Sequence, residues 1–145
     1  MSRQHWAWAL IGKPWREGLD GPDGFDCRGL VRHVWLTQRG IEVPALQRGL
    51  CAAEVLDAAN AGGWQCVGQG PRAAAQELDI VTMNSRQGLH VGVMVRADLR
   101  LGVLHAVGHR DEETGREEGS VIYTPSLGDL ASLGFGHIKL WRKTS

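Results

Sequence analysis

The chain has 145 residues, 43% of them hydrophobic, which suits one compact domain over 1–145 and excludes a disordered chain. Sixteen basic and sixteen acidic side chains cancel to a formal net charge of zero, which argues against a protein held on nucleic acid or a membrane surface by bulk charge. No apolar run is long enough to span a bilayer, and MSRQHWAWALIGKPW lacks the apolar stretch and cleavage site of a signal peptide, so cytoplasmic synthesis without one is expected.

Ser2 to Ile11 can form a short helix with Trp6 and Leu10 on its apolar side, ended by Gly12 and Pro14. Arg16 to Phe25 is a loop punctuated by Gly18, Gly21, Pro22 and Gly24. A helix follows, with Asp26 as N-cap and Gly40 as stop, and with Leu30, Val31, Val34 and Trp35 at helical spacing. Cys27, four residues before Val31, shares that face, so its sulfur should point inward. Ala52 to Ala61 reads as a second helix, closed by Gly62 and Gly63. The period then changes. DIVTM (79–83), HVGVMVR (90–96), GVLHAV (102–107), SVIYT (120–124) and HIKLW (137–141) are short β-branched runs parted by turn residues. Helices first and strands afterwards predict an α+β domain, an antiparallel sheet of about five strands with helices packed on one side.

The three cysteines are Cys27, Cys51 and Cys66, with no CxxC, so neither a disulfide framework nor a zinc ribbon is suggested and a reducing compartment fits. Cys27 stands where a helix offers unpaired N–H groups and the positive end of its dipole, both of which favour a thiolate. Cys51 and Cys66 lack such a start signal and read as small buried hydrophobes. His90 opens one strand, with Gly92 leaving space on the same face, and His105 lies mid-way along the next. Adjacent antiparallel strands can set the two imidazoles side by side, His90 as base and His105 as its orienting partner. Spacing alone equally permits two hydrogen-bonded strand histidines.

GKPWREGLDGPDGFDCRGLVRHVW resembles the catalytic-cysteine segment of the NlpC/P60 cysteine peptidases, whose pattern is near G-x-P-Y-x-x-G-G…G-x-D-C-S-G-L-V. ELDIVTMNSRQGLHVGVMV is similar to that family's G-D-L-V-x-F…H-V-G-I-Y, VLHAVG to the strand with its third polar residue, and HIKLWR to its last strand. The resemblance implies a papain-like fold with Cys27 as nucleophile, His90 as base and His105 as orienting residue. It implies a hydrolase without cofactor or metal, acting on peptide bonds of the peptidoglycan stem peptide, often next to D-γ-glutamate. The DCRGLVR wording looks like phage tail-associated members, with tail proteins as partners and a virion tail as the place of action. The alternative is a structural tail component that keeps the fold without turnover.

The sequence departs from the family pattern at two places. Trp15 replaces the tyrosine after the proline and offers one indole N–H instead of a hydroxyl. Arg28 replaces the serine after the nucleophile, adding bulk and a positive charge that either favours an acidic group on the substrate or blocks the usual one. Asp26 resembles a position that meets a substrate amine; its N-cap role explains it as well.

The remaining polar clusters have simpler readings. His105 and His109 on one strand would stand about 13 Å apart at ~3.3 Å per residue, too far for one metal ion. Asp20, Asp23 and Asp26 miss the spacing of a calcium loop. Trp15 and Trp64 are the better candidates among the tryptophans for lining a groove.

Overall fold

The computed structural model of the chain describes residues 5–47, 51–97 and 99–144, with Ala52 described by its backbone alone. Helix α1 covers Cys27–Arg39, α2 Ala52–Ala61 and α3 Leu127–Ser132. The strands are β1 Trp64–Gln69, β2 Ile80–Ser85, β3 Gly88–Val95, β4 Gly102–Arg110, β5 Glu117–Thr124 and β6 Gly136–Lys143. They form one antiparallel sheet in the order β1-β6-β2-β3-β4-β5. This is the α+β architecture that the change of period predicts, with a sixth strand and with α3 as an unexpected helix on the opposite face of the sheet.

α1 forms where its signals place it. The Asp26 carboxylate accepts the N–H of Gly29 at 2.7 Å, and Gly40 ends the helix at φ 66°, a left-handed conformation that favours glycine. Between them Leu30, Val31, Val34 and Trp35 bury one stripe against Val91, Val93 and Val95 of β3 and Leu104 and Ala106 of β4. Each side chain so buried contributes roughly 1.5–3 kcal/mol. α2 extends the same layer through Val55 and Ala59. The alternate strand residues Val81, Met83, Met94 and Val103 face the other way, under Leu127 and Leu130 of α3 and under Phe135.

Polar ties fix the layers. The Trp35 indole donates to the Leu78 carbonyl at 3.1 Å. The buried Asp79 carboxylate accepts from Nε and Nη2 of Arg142 at 2.8 and 2.7 Å, joining the start of β2 to β6. Outside β5, residues 12–15 run as an added rung: Gly12 donates to Val121, Val121 to Lys13, and Trp15 to Gly119.

Several expectations are revised. The expected helix at Ser2–Ile11 is a single 3-10 turn, Trp6–Ala9, whose Ala7 N–H donates to His5 Nδ1 at 3.1 Å; residues 2–4 lie outside the described part. One turn is all that fits between that cap and Gly12 at φ 92°. Cys51 is exposed ahead of α2 rather than buried. Trp64 is buried edge-on to Trp35, ring centroids 4.8 Å apart, and borders only a small apolar pocket with Val43, Val55 and Ile80.

Candidate active site

The loop that leads to Cys27 is tied down at both ends. Phe25 donates to the Pro14 carbonyl at 3.1 Å and is itself fully buried. Asp26 closes the loop from the other side: its Oδ2 accepts the Gly18 N–H at 2.8 Å while its backbone N–H donates to Leu19 at 3.0 Å. The Leu19 carbonyl lies so close over α1 that a Cβ at Gly29 would overlap it. Only glycine permits that approach. Asp26 is thus both N-cap and loop clamp, and Cys27 starts the first turn, where the Arg28 N–H hydrogen-bonds the Cys27 sulfur.

The Cys27 sulfur meets the sheet at Val91. The β3–β4 ladder runs from Val95↔Gly102 to Val93↔Leu104. Beyond it the Val91 N–H is available, and it hydrogen-bonds the Cys27 sulfur. The nucleophile candidate therefore sits one peptide unit from His90. Among the described residues no hydrogen bond joins Cys27 directly to His90.

The histidines meet as the strand pattern suggests, but diagonally. Extending the register from Val93↔Leu104 sets Gly92, not His90, opposite His105. The missing side chain lets the His90 ring lean across. A Cβ at Gly92 would stand 2.8 Å from Val103 Cγ1 and 3.1 Å from His105 Cβ. His90 Nε2 and His105 Nδ1 share a hydrogen bond at 2.9 Å, leaving His90 Nδ1 as the free ring nitrogen. His105 Nε2 in turn hydrogen-bonds Thr124 Oγ1 at 2.8 Å. His105 is fully buried and His90 is 8% exposed.

Two members of this group, Thr124 and Phe135, are absent from the sequence reading. The Phe135 ring stacks on His90, centroids 4.6 Å apart and planes 15° from parallel, and meets His105 edge-on at 5.7 Å. Thr124 had one legible signal, a polar residue on the face of β5 that alternation sets beside Val103 and His105. Phe135 had none, since it lies in the turn between α3 and β6.

Burial governs the electrostatics. It pushes the Cys27 thiol above its ordinary value; the Val91 N–H works against this, the Asp26 carboxylate adds to it, and Arg28 works against it. Burial also holds His90 well below the usual imidazole range, aided by the neighbouring His105, and lowers His105. Burial thus favours the uncharged forms of the thiol and of both imidazoles. This differs from the thiolate that a helix N-terminus favours, because desolvation outweighs the first-turn N–H groups here.

Trp15 and Arg28 lie at the margins. The Trp15 ring covers β4 at Gly108, where any Cβ would overlap it. Arg28 Nη1 donates to the Gln47 carbonyl at 3.3 Å on the surface. On the opposite side His90 opens into a groove of about 490 Å³, lined by Ser85, Arg86, His109, Ser132 and Phe135 among others and by no carboxylate. Among the described residues no three His, Cys, Asp or Glu side chains are grouped to hold a metal ion, and no helix is long and apolar enough to cross a membrane.

No protein-family profile and no curated protein matches the chain. Among solved structures, the NlpC/p60 domain of the peptidoglycan hydrolase SagA matches with a TM-score of 0.52 over 92% of this chain and 91% of that one, at 19% identity. At that identity the likeness is one of fold: the chain has the papain-like α+β fold of an NlpC/P60 domain.

Proposed function

We propose that the protein is a cysteine-type peptidase or amidase that hydrolyses peptide bonds of the peptidoglycan stem peptide, with Cys27 as nucleophile, His90 as base and His105 as orienting residue. The observation that carries this reading is the buried 2.9 Å His90–His105 hydrogen bond, which leaves His90 Nδ1 free, while the sulfur at a helix N-terminus hydrogen-bonds the N–H of the next residue, Val91. The solved NlpC/p60 domain of a peptidoglycan hydrolase, similar in fold, supplies the substrate class.

His90 Nδ1 takes the Cys27 proton as the sulfur bonds to the carbonyl carbon. The negative charge that develops on the carbonyl oxygen is met by the Cys27 N–H at the start of α1. The C–N bond then breaks, and the leaving amine receives the proton from His90. Water attacks the thioester, giving its proton to His90, and the acid product leaves as the thiol reforms. The favoured uncharged forms are consistent with this cycle, since such hydrogen bonds tighten once substrate excludes water.

The groove beside His90 supports an acidic peptide as substrate, because Arg86 and His109 line it and no carboxylate does. Arg28 adds positive charge on the nucleophile's side, and a bond next to D-γ-glutamate fits that balance. A substrate amine at Asp26 would share a carboxylate already holding two N–H groups. Trp15 bounds the site by holding residues 12–15 on the sheet. The wording DCRGLVR extends the proposal to a phage or prophage tail, which recovery of the chain from purified virions would test.

Incubation with purified peptidoglycan, with release of peptide fragments read by mass spectrometry, tests the activity. Wild type should release fragments and Cys27→Ala should not. The second reading, a structural tail component without turnover, is favoured by one observation: the raised Cys27 pKa without a Cys27–His90 hydrogen bond. Intact peptidoglycan in both reactions would select it.

A further inference from the structure

The hydrogen-bonded chain does not stop at His105. Its far end is Thr124, whose hydroxyl lies 2.8 Å from His105 Nε2, with Thr124 buried at the end of β5. Two proton arrangements satisfy the distances. In the first, His90 carries its proton on Nε2 and donates to His105 Nδ1, and His105 carries its proton on Nε2 and donates to Thr124. In the second every hydrogen bond is reversed: Thr124 donates to His105, His105 Nδ1–H donates to His90, and the His90 proton sits on Nδ1.

Only the first arrangement leaves His90 Nδ1, the ring nitrogen outside the chain of hydrogen bonds, with a lone pair. It also serves the protonated state, since an imidazolium at His90 must donate from Nε2 and still needs a bare His105 Nδ1. A neutral His105 must then carry its proton on Nε2 throughout. That buried N–H requires an acceptor, and among the described residues Thr124 Oγ1 is its hydrogen-bond partner.

We infer that Thr124 is a positioning residue: by accepting from His105 Nε2–H, it fixes the tautomers of both histidines and so keeps the lone pair of His90 on Nδ1. The inference rests on the cysteine-hydrolase reading for its use, but not for its observation.

The test is the near-isosteric Thr124→Val, which removes the acceptor, with Thr124→Ser as the variant that keeps it. Long-range proton–nitrogen NMR reads each imidazole tautomer directly. Wild type and Thr124→Ser should show Nε2–H on both rings, and Thr124→Val should move protons to Nδ1. In parallel, iodoacetamide labelling read by peptide mass should show Cys27 slowed about tenfold in Thr124→Val, the cost of orphaning one buried donor, and restored in Thr124→Ser. Unchanged tautomers in Thr124→Val would overturn the inference, as would Nδ1–H in wild type. If the tautomers shift as stated while His90→Ala leaves Cys27 labelling unaltered in wild type, the role of Thr124 stands and the hydrolase reading falls.

Discussion

The His90 imidazole lies on the Phe135 ring at 4.6 Å, nearly parallel to it, so one face of the candidate base is sealed by hydrocarbon. That lid contributes to the burial that keeps the imidazole neutral. Replacing Phe135 by Ala should admit water and raise the His90 pKa back toward the ordinary value of 6.5. It should also cost about 3–5 kcal/mol of stability as a large-to-small change. A histidine NMR titration measures the first and urea denaturation the second; an unmoved His90 titration would mean that the lid does not set the ionisation.

Gly92 is the gap through which the two histidines meet. A methyl group there would press on Val103 and on the His105 backbone side. Gly92→Ala should therefore break the His90–His105 hydrogen bond and lower any hydrolytic rate, at a stability cost of about 1–3 kcal/mol for overpacking. Loss of the downfield ring N–H signal in proton NMR would report the broken bond. Retention of that signal with full activity would show that β3 and β4 can yield.

Charge and capping at Asp26 can be separated. Burial is the main cause of the raised Cys27 pKa, and the Asp26 carboxylate adds to it. Asp26→Asn keeps an acceptor for Gly29 but removes the negative charge, so the thiol should ionise at lower pH and label faster at neutral pH. Asp26→Ala loses the cap and should cost about 1 kcal/mol of stability. Labelling of the exposed Cys51 is the internal control, since its rate should not change.

The buried histidines also predict how stability responds to acid. Both are held below 6.5, the value an unfolded imidazole keeps, so below that pH the unfolded chain binds protons that the folded chain refuses. Stability is then full above about pH 6.5 and falls as pH drops toward the lowered folded values. Melting temperatures from pH 8 to 4 should fall more steeply in wild type than in a His90→Gln/His105→Gln double variant. Parallel curves would remove the histidines as the cause.

The sequence was most readable where the signals were local. α1 carries its cap, its apolar stripe and its stop within one stretch, and it starts and ends where they say. β1 was missed because WQCVGQ has little alternation, contains a glycine and bulges between Cys66 and Gly68, so only its pairing with β6 makes it a strand. α3 is a six-residue helix, too short for periodicity to show. In the site, the histidine pair was legible because both residues sit in strong strand patterns. Thr124 and Phe135 join it only through tertiary contact. The raised Cys27 pKa has the same kind of cause: a helix start is visible in sequence, and the depth of its burial is not.

The rung that residues 12–15 add beside β5 gives the two halves of the site different folding histories. β2 to β5 pair with sequence neighbours through short turns, so the histidines can be assembled from contacts of low separation. The clasp that holds the cysteine's loop closes over a span of about one hundred residues, as the Glu17 N–H on the Glu117 carboxylate shows at a separation of 100. Contacts of that range form late, since loop closure has to precede them. The candidate base is then in place before the candidate nucleophile arrives, and the two come together only in a chain that has finished folding. Pulse-labelled hydrogen exchange should protect β3 and β4 ahead of Gly12 and Trp15; simultaneous protection would mean that the two halves fold as one.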